Sequence, residues 1–319
     1  MITSNKVIPY GRHEIKQEDI DAVVETLKSD FLTQGPKIKE FEDKFADYIG
    51  SKYAVAVSNG TAALHLSALA LGVKKGTNVI TSPLTFVASS NAILHSGGRI
   101  DFCDIDPETL LIDFKELRNK LAKSRKGSYS GIIAVDFAGL AIQMDELKKI
   151  ADDFGLWILE DACHAPGGFY IDSNGEKQNC GNCKNSDLAI FSFHPVKHIS
   201  CGEGGMITTN NLNHYKLLLK LRSHGITKSK NELTENHGGW YYEMNDLGYN
   251  YRLTDISAAM GISQLNRAKG GVQKRADIAK IYFSELEHIN GIKFYNKIHT
   301  GHAYHLLVIR AENRDKLYN

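Results

Sequence analysis

The chain has 319 residues, 42% apolar and 24% charged, with 38 Lys+Arg against 37 Asp+Glu for a formal net charge of +1. So even a balance offers no general attraction to nucleic acid or to an anionic membrane. Length and apolar content fit a soluble protein of about two domains, and with no apolar run of membrane-spanning length and no secretory core in Met1 to Tyr10, the expected setting is the cytoplasm.

Ile20, Val23, Val24 and Leu27 recur at helical spacing and predict an amphipathic helix over Lys16 to Ser29, packed through that stripe on something larger. Leu32-Thr-Gln-Gly-Pro36 ends it. A second helix runs through Ile38, Phe41, Phe45 and Tyr48 and stops near Gly50. Short apolar strands then alternate with helices: Tyr53 to Val57 and Thr61 to Leu71, Asn78 to Thr81 and Phe86 to Leu94, Gly131 to Val135 and Met144 to Phe154, and Leu156 to Leu159. This alternation predicts an α/β domain, a mostly parallel sheet flanked by helices on both faces. Ligands in such sheets gather beyond the carboxyl ends of the strands. Ser58-Asn-Gly-Thr61, Ser82 to Phe86, Asp136 and Glu160-Asp161 all lie there.

Two further strands, Asp187 to Phe193 and Met206 to Thr209, bracket a turn that holds Pro195, Lys197 and the glycines 202, 204 and 205. Thr227 to Asn245, polar but for Trp240-Tyr-Tyr242 and a few others, reads as a long loop, and Ile256 to Leu265 and Val272 to Leu286 as helices. His302 to Ala311 reads as a strand, and Asn313 as the cap of a helix that reaches Asn319 after less than two turns. So short an element leads us to expect that the natural protein continues.

The five cysteines do not suggest a secreted disulfide framework. Cys180-Gly-Asn-Cys183 has a metal-like spacing, but Cys103, Cys163 and Cys201 supply no second pair for the four ligands of structural zinc, and no thioredoxin-like context surrounds it. No metal is expected.

Lys197 stands on the kind of turn that mounts a Schiff-base lysine: partial burial lowers an ammonium's pKa and frees the amine to attack a carbonyl. Gly60 and Thr61 open a helix with N–H groups and a hydroxyl suited to a phosphate, although Ser, Asn or Thr at such a place also serves as a simple cap. Asp161 could pair with a protonated pyridine nitrogen or could be a helix cap or ion-pair partner. Phe86 could lie on a planar ring or be core, and Ser192 could add a hydroxyl to a phosphate. Their joint occurrence in this chain order is what points to chemistry.

The same residues resemble a known family. Leu32-Thr-Gln-Gly35, Ser58-Asn-Gly-Thr-Ala62, Thr85-Phe-Val-Ala88, Glu160-Asp-Ala-Cys-His164, Phe191-Ser-Phe-His-Pro-Val-Lys197, Gly202-Glu-Gly-Gly205, Arg222-Ser-His-Gly225 and Gly248-Tyr-Asn-Tyr-Arg252 are similar to the motifs of the DegT/DnrJ-type sugar-nucleotide aminotransferases. These are pyridoxal-phosphate enzymes with the fold of aspartate aminotransferase. Within the family, Ile8-Pro-Tyr-Gly11, Leu32 to Gly35 and Ser82 to Phe86 look most similar to the branch that aminates a UDP-linked sugar of the pseudaminic acid pathway.

The resemblance implies the type I fold of pyridoxal-phosphate enzymes, with residues 1–262 as the large cofactor domain and 263–319 as part of a small carboxyl-terminal domain. It implies pyridoxal 5'-phosphate held covalently by Lys197, Asp161 at the pyridine nitrogen, His164 near the ring hydroxyl and Phe86 on the ring. Gly60, Thr61 and Ser192 would hold the phosphate, with Asn250 reaching it from the second subunit of a homodimer. The implied reaction is transfer of the amino group of L-glutamate to C4 of a UDP-linked 4-keto-6-deoxy-N-acetyl sugar, Lys197 moving the protons. Alternatives are another nucleotide-linked keto sugar, GDP or dTDP, or a truncated chain that binds the cofactor without catalysis. A dehydratase branch of the family carries histidine where Lys197 stands.

Overall fold

The run Gly131–Val135 is buried along its whole length, as a strand covered on both faces must be, and the sheet is built outward from it. The computed structural model describes residues 9–235, 237–295 and 300–319. Ile8 of the opening Ile8-Pro-Tyr-Gly11 motif, the segment before it and Asn236 of the long loop lie outside the described residues.

Two helices come first, α1 (Gln17–Leu27) and α2 (Pro36–Ile49), then β1 (Tyr53–Val57), α3 (Gly60–Ala70), β2 (Asn78–Thr81), α4 (Val87–His95), β3 (Arg99–Phe102) and α5 (Phe114–Lys123). The chain continues through β4 (Gly131–Val135), α6 (Met144–Phe154), β5 (Trp157–Asp161), a small hairpin of β6 (Phe169–Ile171) and β7 (Lys177–Asn179), then β8 (Leu188–Ser192) and β9 (Gly205–Thr209). After α7 (Leu212–Arg222), the pair β10 (Ile226–Thr227) and β11 (Glu243–Met244) pinches the long loop, and α8 (Asp255–Asn266), α9 (Ala268–Leu286), β12 (Ile292–Phe294), β13 (Ile309–Ala311) and α10 (Arg314–Tyr318) follow.

Among the described residues the main sheet has seven strands in the order β1-β9-β8-β5-β4-β2-β3. All are mutually parallel except β9, which runs antiparallel to both of its neighbours. Strand alternation sorts the side chains onto two faces. Val55, Val57, Ile133, Leu159 and Ile190 join one apolar cluster with α3, α4 and α7. Ala54, Ala56, Ile132, Ile158 and Phe191 join the other, with α2, α5 and α6. A third, small cluster of Ala279, Phe283 and Tyr304 lies apart from both.

Several expectations are corrected. The predicted stripe of α1 faces mostly outward: Val23 is half-buried, but Ile20, Val24 and Leu27 are 46%, 39% and 54% exposed, while Asp19 and Thr26 are buried. Asp19 sets that rotation, since it accepts hydrogen bonds from Gln264 Nε2 at 2.9 Å and Arg267 Nη1 at 2.7 Å. A buried carboxylate outweighs the apolar stripe because leaving it unpaired would cost more than exposing three aliphatic groups. Of His302 to Ala311 only Ile309–Ala311 is a strand. The rest is held irregularly on the turn after β4, by Ala303 N to Gly139 O at 2.8 Å and Leu306 N to Ala138 O at 3.1 Å. Asn313 makes no side-chain cap to α10. β3, α5 and α7 extend the alternation beyond the segments the sequence marks out.

Candidate active site

The pleat splits Glu160 from Asp161. β5 extends to Asp161, so these neighbours point to opposite faces of the sheet. Asp161 has the parity of Leu159 and faces α3 and α4, where Ser89 Oγ donates to its Oδ2 at 2.7 Å and the Cys163 N–H to its Oδ1 at 3.2 Å. Glu160 faces the other side, accepting from Gly181 N at 2.8 Å and Ser186 Oγ at 3.2 Å.

A cleft of about 640 Å³ opens at the carboxyl end of the parallel strands and is lined by Asp161, His164 and Lys197. Gly60, Thr61 and Ser192 line it as well, and Phe86 stands at it with 71% of its surface exposed. Seven of the eight residues singled out from sequence are therefore brought together. Asn250 is not: it is exposed, it bridges to Ser223, and it does not line the cleft of its own chain.

Each is mounted by its local structure. Lys197 lies in the connection from β8 to β9, which must reverse direction because the two strands are antiparallel. Burial pushes its ammonium down, against the pull of Cys163 and Asp161. At the start of α3, Asn59 acts as the cap, its side chain accepting from Ala62 N at 2.8 Å. Asn59 is therefore a simple helix cap, while Gly60 and Thr61 remain at the cleft. A Cβ on Gly60 would sit 2.9 Å from Ser192 Cβ, and one on Gly205 would sit 2.5 Å from Asn59 O. Only glycine at both positions lets the helix start meet β8 and β9 so closely. The result is a small pocket at a helix N-terminus with a serine hydroxyl beside it, which suits a phosphate.

His164 is neutral, pushed to about 3 by burial and then by Lys197 and His198. Its Nδ1 accepts from Ala138 N at 3.3 Å. Ala138 holds φ +60°, a left-handed conformation that a non-glycine residue adopts at some cost. Sequence reasoning missed Ser89 and His305, which also line or support this cleft. Ser89 is revealed by its burial and not by its spacing. His305 sits in the irregular segment, and no spacing links it to His164.

Behind the sheet, Asp136, Glu160 and Cys180 are buried with ligand-type atoms within 4.8 Å of one another. Cys183 is elsewhere, its thiol against Thr208 O at 3.2 Å. Burial pushes both carboxyls up, Glu160 to about 7, and the charge of Glu160 pushes Asp136 further in the same direction. Such a pair is satisfied by one shared proton. No helix among the described residues is long and apolar enough to cross a membrane.

Residues 13–319 match the DegT/DnrJ/EryC1/StrS aminotransferase family. The chain belongs to this family. It is 40% identical over 281 residues to the UDP-4-amino-4,6-dideoxy-N-acetyl-beta-L-altrosamine transaminase of Campylobacter jejuni, a match covering 88% of this chain and 70% of that one. Among solved structures, Helicobacter pylori PseC, an aminotransferase involved in the biosynthesis of pseudoaminic acid, superposes with TM-score 0.85 at 28% identity, covering 97% of this chain and 79% of PseC. The PLP form of the putative sugar aminotransferase Spr1654 from Streptococcus pneumoniae gives TM-score 0.82 at 28% identity, covering 96% and 78%. The aminotransferase fold thus extends over nearly the whole chain, and the cleft of this DegT-family member lies at the carboxyl ends of its parallel strands.

Proposed function

We propose that this aminotransferase is a cytoplasmic homodimer that moves the amino group of L-glutamate to C4 of a UDP-linked 4-keto-6-deoxy-N-acetyl sugar. The observation that carries the reading is the convergence of Lys197, Asp161 and His164 on one cleft. The 40% identity to a relative named for a UDP-linked amino sugar supports the substrate class.

The cofactor of such an enzyme is pyridoxal 5'-phosphate, and the residues fit it. Lys197 offers an amine that burial pushes toward its neutral form, Asp161 is a carboxylate held by two donors, and the Gly60–Ser192 notch is one that a Cβ would fill. When bound, the cofactor supplies an electron sink that lets a proton leave the carbon bearing nitrogen. Lys197 is the covalent anchor, and its free Nζ then takes and returns protons at the reacting carbons of donor and sugar. Asp161 would pair with the pyridine nitrogen, His164 would serve the ring hydroxyl and Phe86 the ring face. Gly60, Thr61 and Ser192 would hold the phosphate, joined by Asn250 of the second subunit. Trp240, 72% exposed in the 227–245 loop, is available to the nucleotide. Residues 1–262 form the cofactor domain, and 263–319, with the separate cluster around Phe283, belong to a smaller one.

The test is the visible spectrum of the purified chain with pyridoxal phosphate, before and after L-glutamate. The lysine-bound band should form and then bleach, and Lys197→Ala should lose both half-reactions. Turnover retained in that variant would sink the assignment. Turnover on UDP-, GDP- and dTDP-linked 4-keto sugars then decides the nucleotide, and cofactor binding without any transfer would make the chain non-catalytic.

A further inference from the structure

His164 has only one polar atom left to offer. A backbone N–H can only donate, so the contact from Ala138 N leaves Nδ1 as the acceptor. Because the ring is neutral, its single proton is on Nε2. His164 is therefore a fixed Nε2–H donor at the cleft.

The ring needs something to hold it in that orientation, because a χ2 rotation is soft. His305 does this. Its ring lies 4.3 Å from that of His164, with the planes 31° apart. His305 is itself placed by the segment that crosses the turn after β4: Ala303 N and Leu306 N bond Gly139 O and Ala138 O, and Arg275 Nη1 donates to Tyr304 O at 3.2 Å and His305 O at 3.4 Å. The same turn therefore presents the Ala138 N–H to one side of His164 and carries His305 against its face. A Cβ on Gly139 would lie 2.8 Å from His164 O and 2.9 Å from Tyr304 N, so the three segments are in close contact. His305 Nδ1 is buried without a hydrogen-bond partner among the described residues, an arrangement that calls for a functional explanation. The groups facing His305 are His164, Lys197, His198 and Arg275, and with burial they keep it uncharged. A neutral ring stacks on a neutral ring, where a charged one would repel the lysine.

We propose that His305 is a positioning residue: it clamps His164 as an Nε2–H donor toward an electron-rich oxygen in the cleft, the ring hydroxyl oxygen of the cofactor. This rests on the reading of His164 given above and adds the residue, the tautomer and the segment that enforce it.

The experiment is the pH titration of the visible band of the pyridoxal-phosphate-loaded chain, without substrate. A donor to the ring oxygen weakens that oxygen's hold on the proton of the adjacent lysine-linked nitrogen, so losing it raises the midpoint. A neutral hydrogen bond corresponds to about 0.5–1 pH unit. His164→Phe should raise the midpoint by that amount, and His305→Ala should do so nearly as much. His305→Phe, which keeps a ring on His164, should stay within about 0.2 unit of wild type, a small fraction of that hydrogen-bond effect. In a His164→Phe background, His305→Ala should add nothing. Nitrogen-15 NMR of the ring in the cofactor-free chain should show the Nε2–H tautomer in wild type and a tautomer mixture in His305→Ala. An unchanged midpoint in His305→Ala beside a shifted one in His164→Phe overturns the proposal, as does a full additional shift in the double variant. An unchanged midpoint in His164→Phe instead removes the reading of His164 on which it rests.

Discussion

Ser89 Oγ donates to Asp161 Oδ2 at 2.7 Å, and both residues are buried. This bond ties the first turn of α4 to the end of β5 and, together with the Cys163 N–H on Oδ1, orients the carboxylate at the cleft. Thr85 Oγ1 lies 2.7 Å from the same serine hydroxyl, so the link reaches back to the loop that carries Phe86.

Ser89→Ala should therefore weaken pyridoxal phosphate binding. A hydrogen bond to a charged group contributes about 1.5–3 kcal/mol, and part of it is recovered by the Cys163 N–H, so a loss of roughly tenfold in affinity is expected. Absorbance titration with the cofactor measures it. Unchanged affinity would mean that Asp161 is oriented by its backbone alone.

Gly60→Ala places a methyl 2.9 Å from Ser192 Cβ and 3.3 Å from its Oγ. The helix start must shift away, and the N-terminal notch opens. The circular dichroism spectrum should stay native while cofactor affinity falls by about tenfold or more, since overpacking costs roughly 1–3 kcal/mol. Pyridoxal, which lacks the phosphate, should bind wild type and variant alike.

Glu160 is raised from 4.5 to about 7. An acid with a raised folded-state pKa keeps its proton in the folded chain after the unfolded chain has lost it, so it subtracts stability as pH rises from about 4.5 to 7. The shift corresponds to about 3 kcal/mol. The neutral imidazoles of His164 and His198, each held near 3, act in the opposite sense, losing stability as pH falls below the ordinary histidine range toward 3. The difference between Glu160→Gln and wild type isolates the Asp136–Glu160 pair: the variant should gain relative stability between pH 5 and 8, read by denaturant unfolding at both pH values. A constant difference would mean that Glu160 does not titrate in that window.

Asn250 is exposed and away from the cleft of its own chain. If it completes the partner's site, Lys197→Ala and Asn250→Ala chains, each inactive or strongly impaired alone, should regain activity when refolded together. Random pairing gives one intact site in each mixed dimer, up to about a quarter of wild-type activity. No recovery would place Asn250 outside the shared site.

The alternation of strands and helices is legible in the chain alone, because the largely buried runs Tyr53–Val57, Asn78–Thr81 and Gly131–Val135 are bounded by turn residues and their period is set by the backbone. Gly60, Asp161 and Lys197 are legible in the same way, since they open α3, end β5 and lie in the turn between β8 and β9, on the side where a parallel sheet collects its ligands. Which partners each face meets emerges only when the chain is folded. Glu160 and Asp161 are adjacent in the chain and separated by the sheet. Ile20, Val24 and Leu27 of α1 turn outward because Asp19 finds Gln264 on α8 and Arg267 just after it. His305 meets His164 through a segment that follows no period. Such contacts depend on distant partners and on the cost of leaving a buried polar group unpaired, and no local pattern in the chain records either.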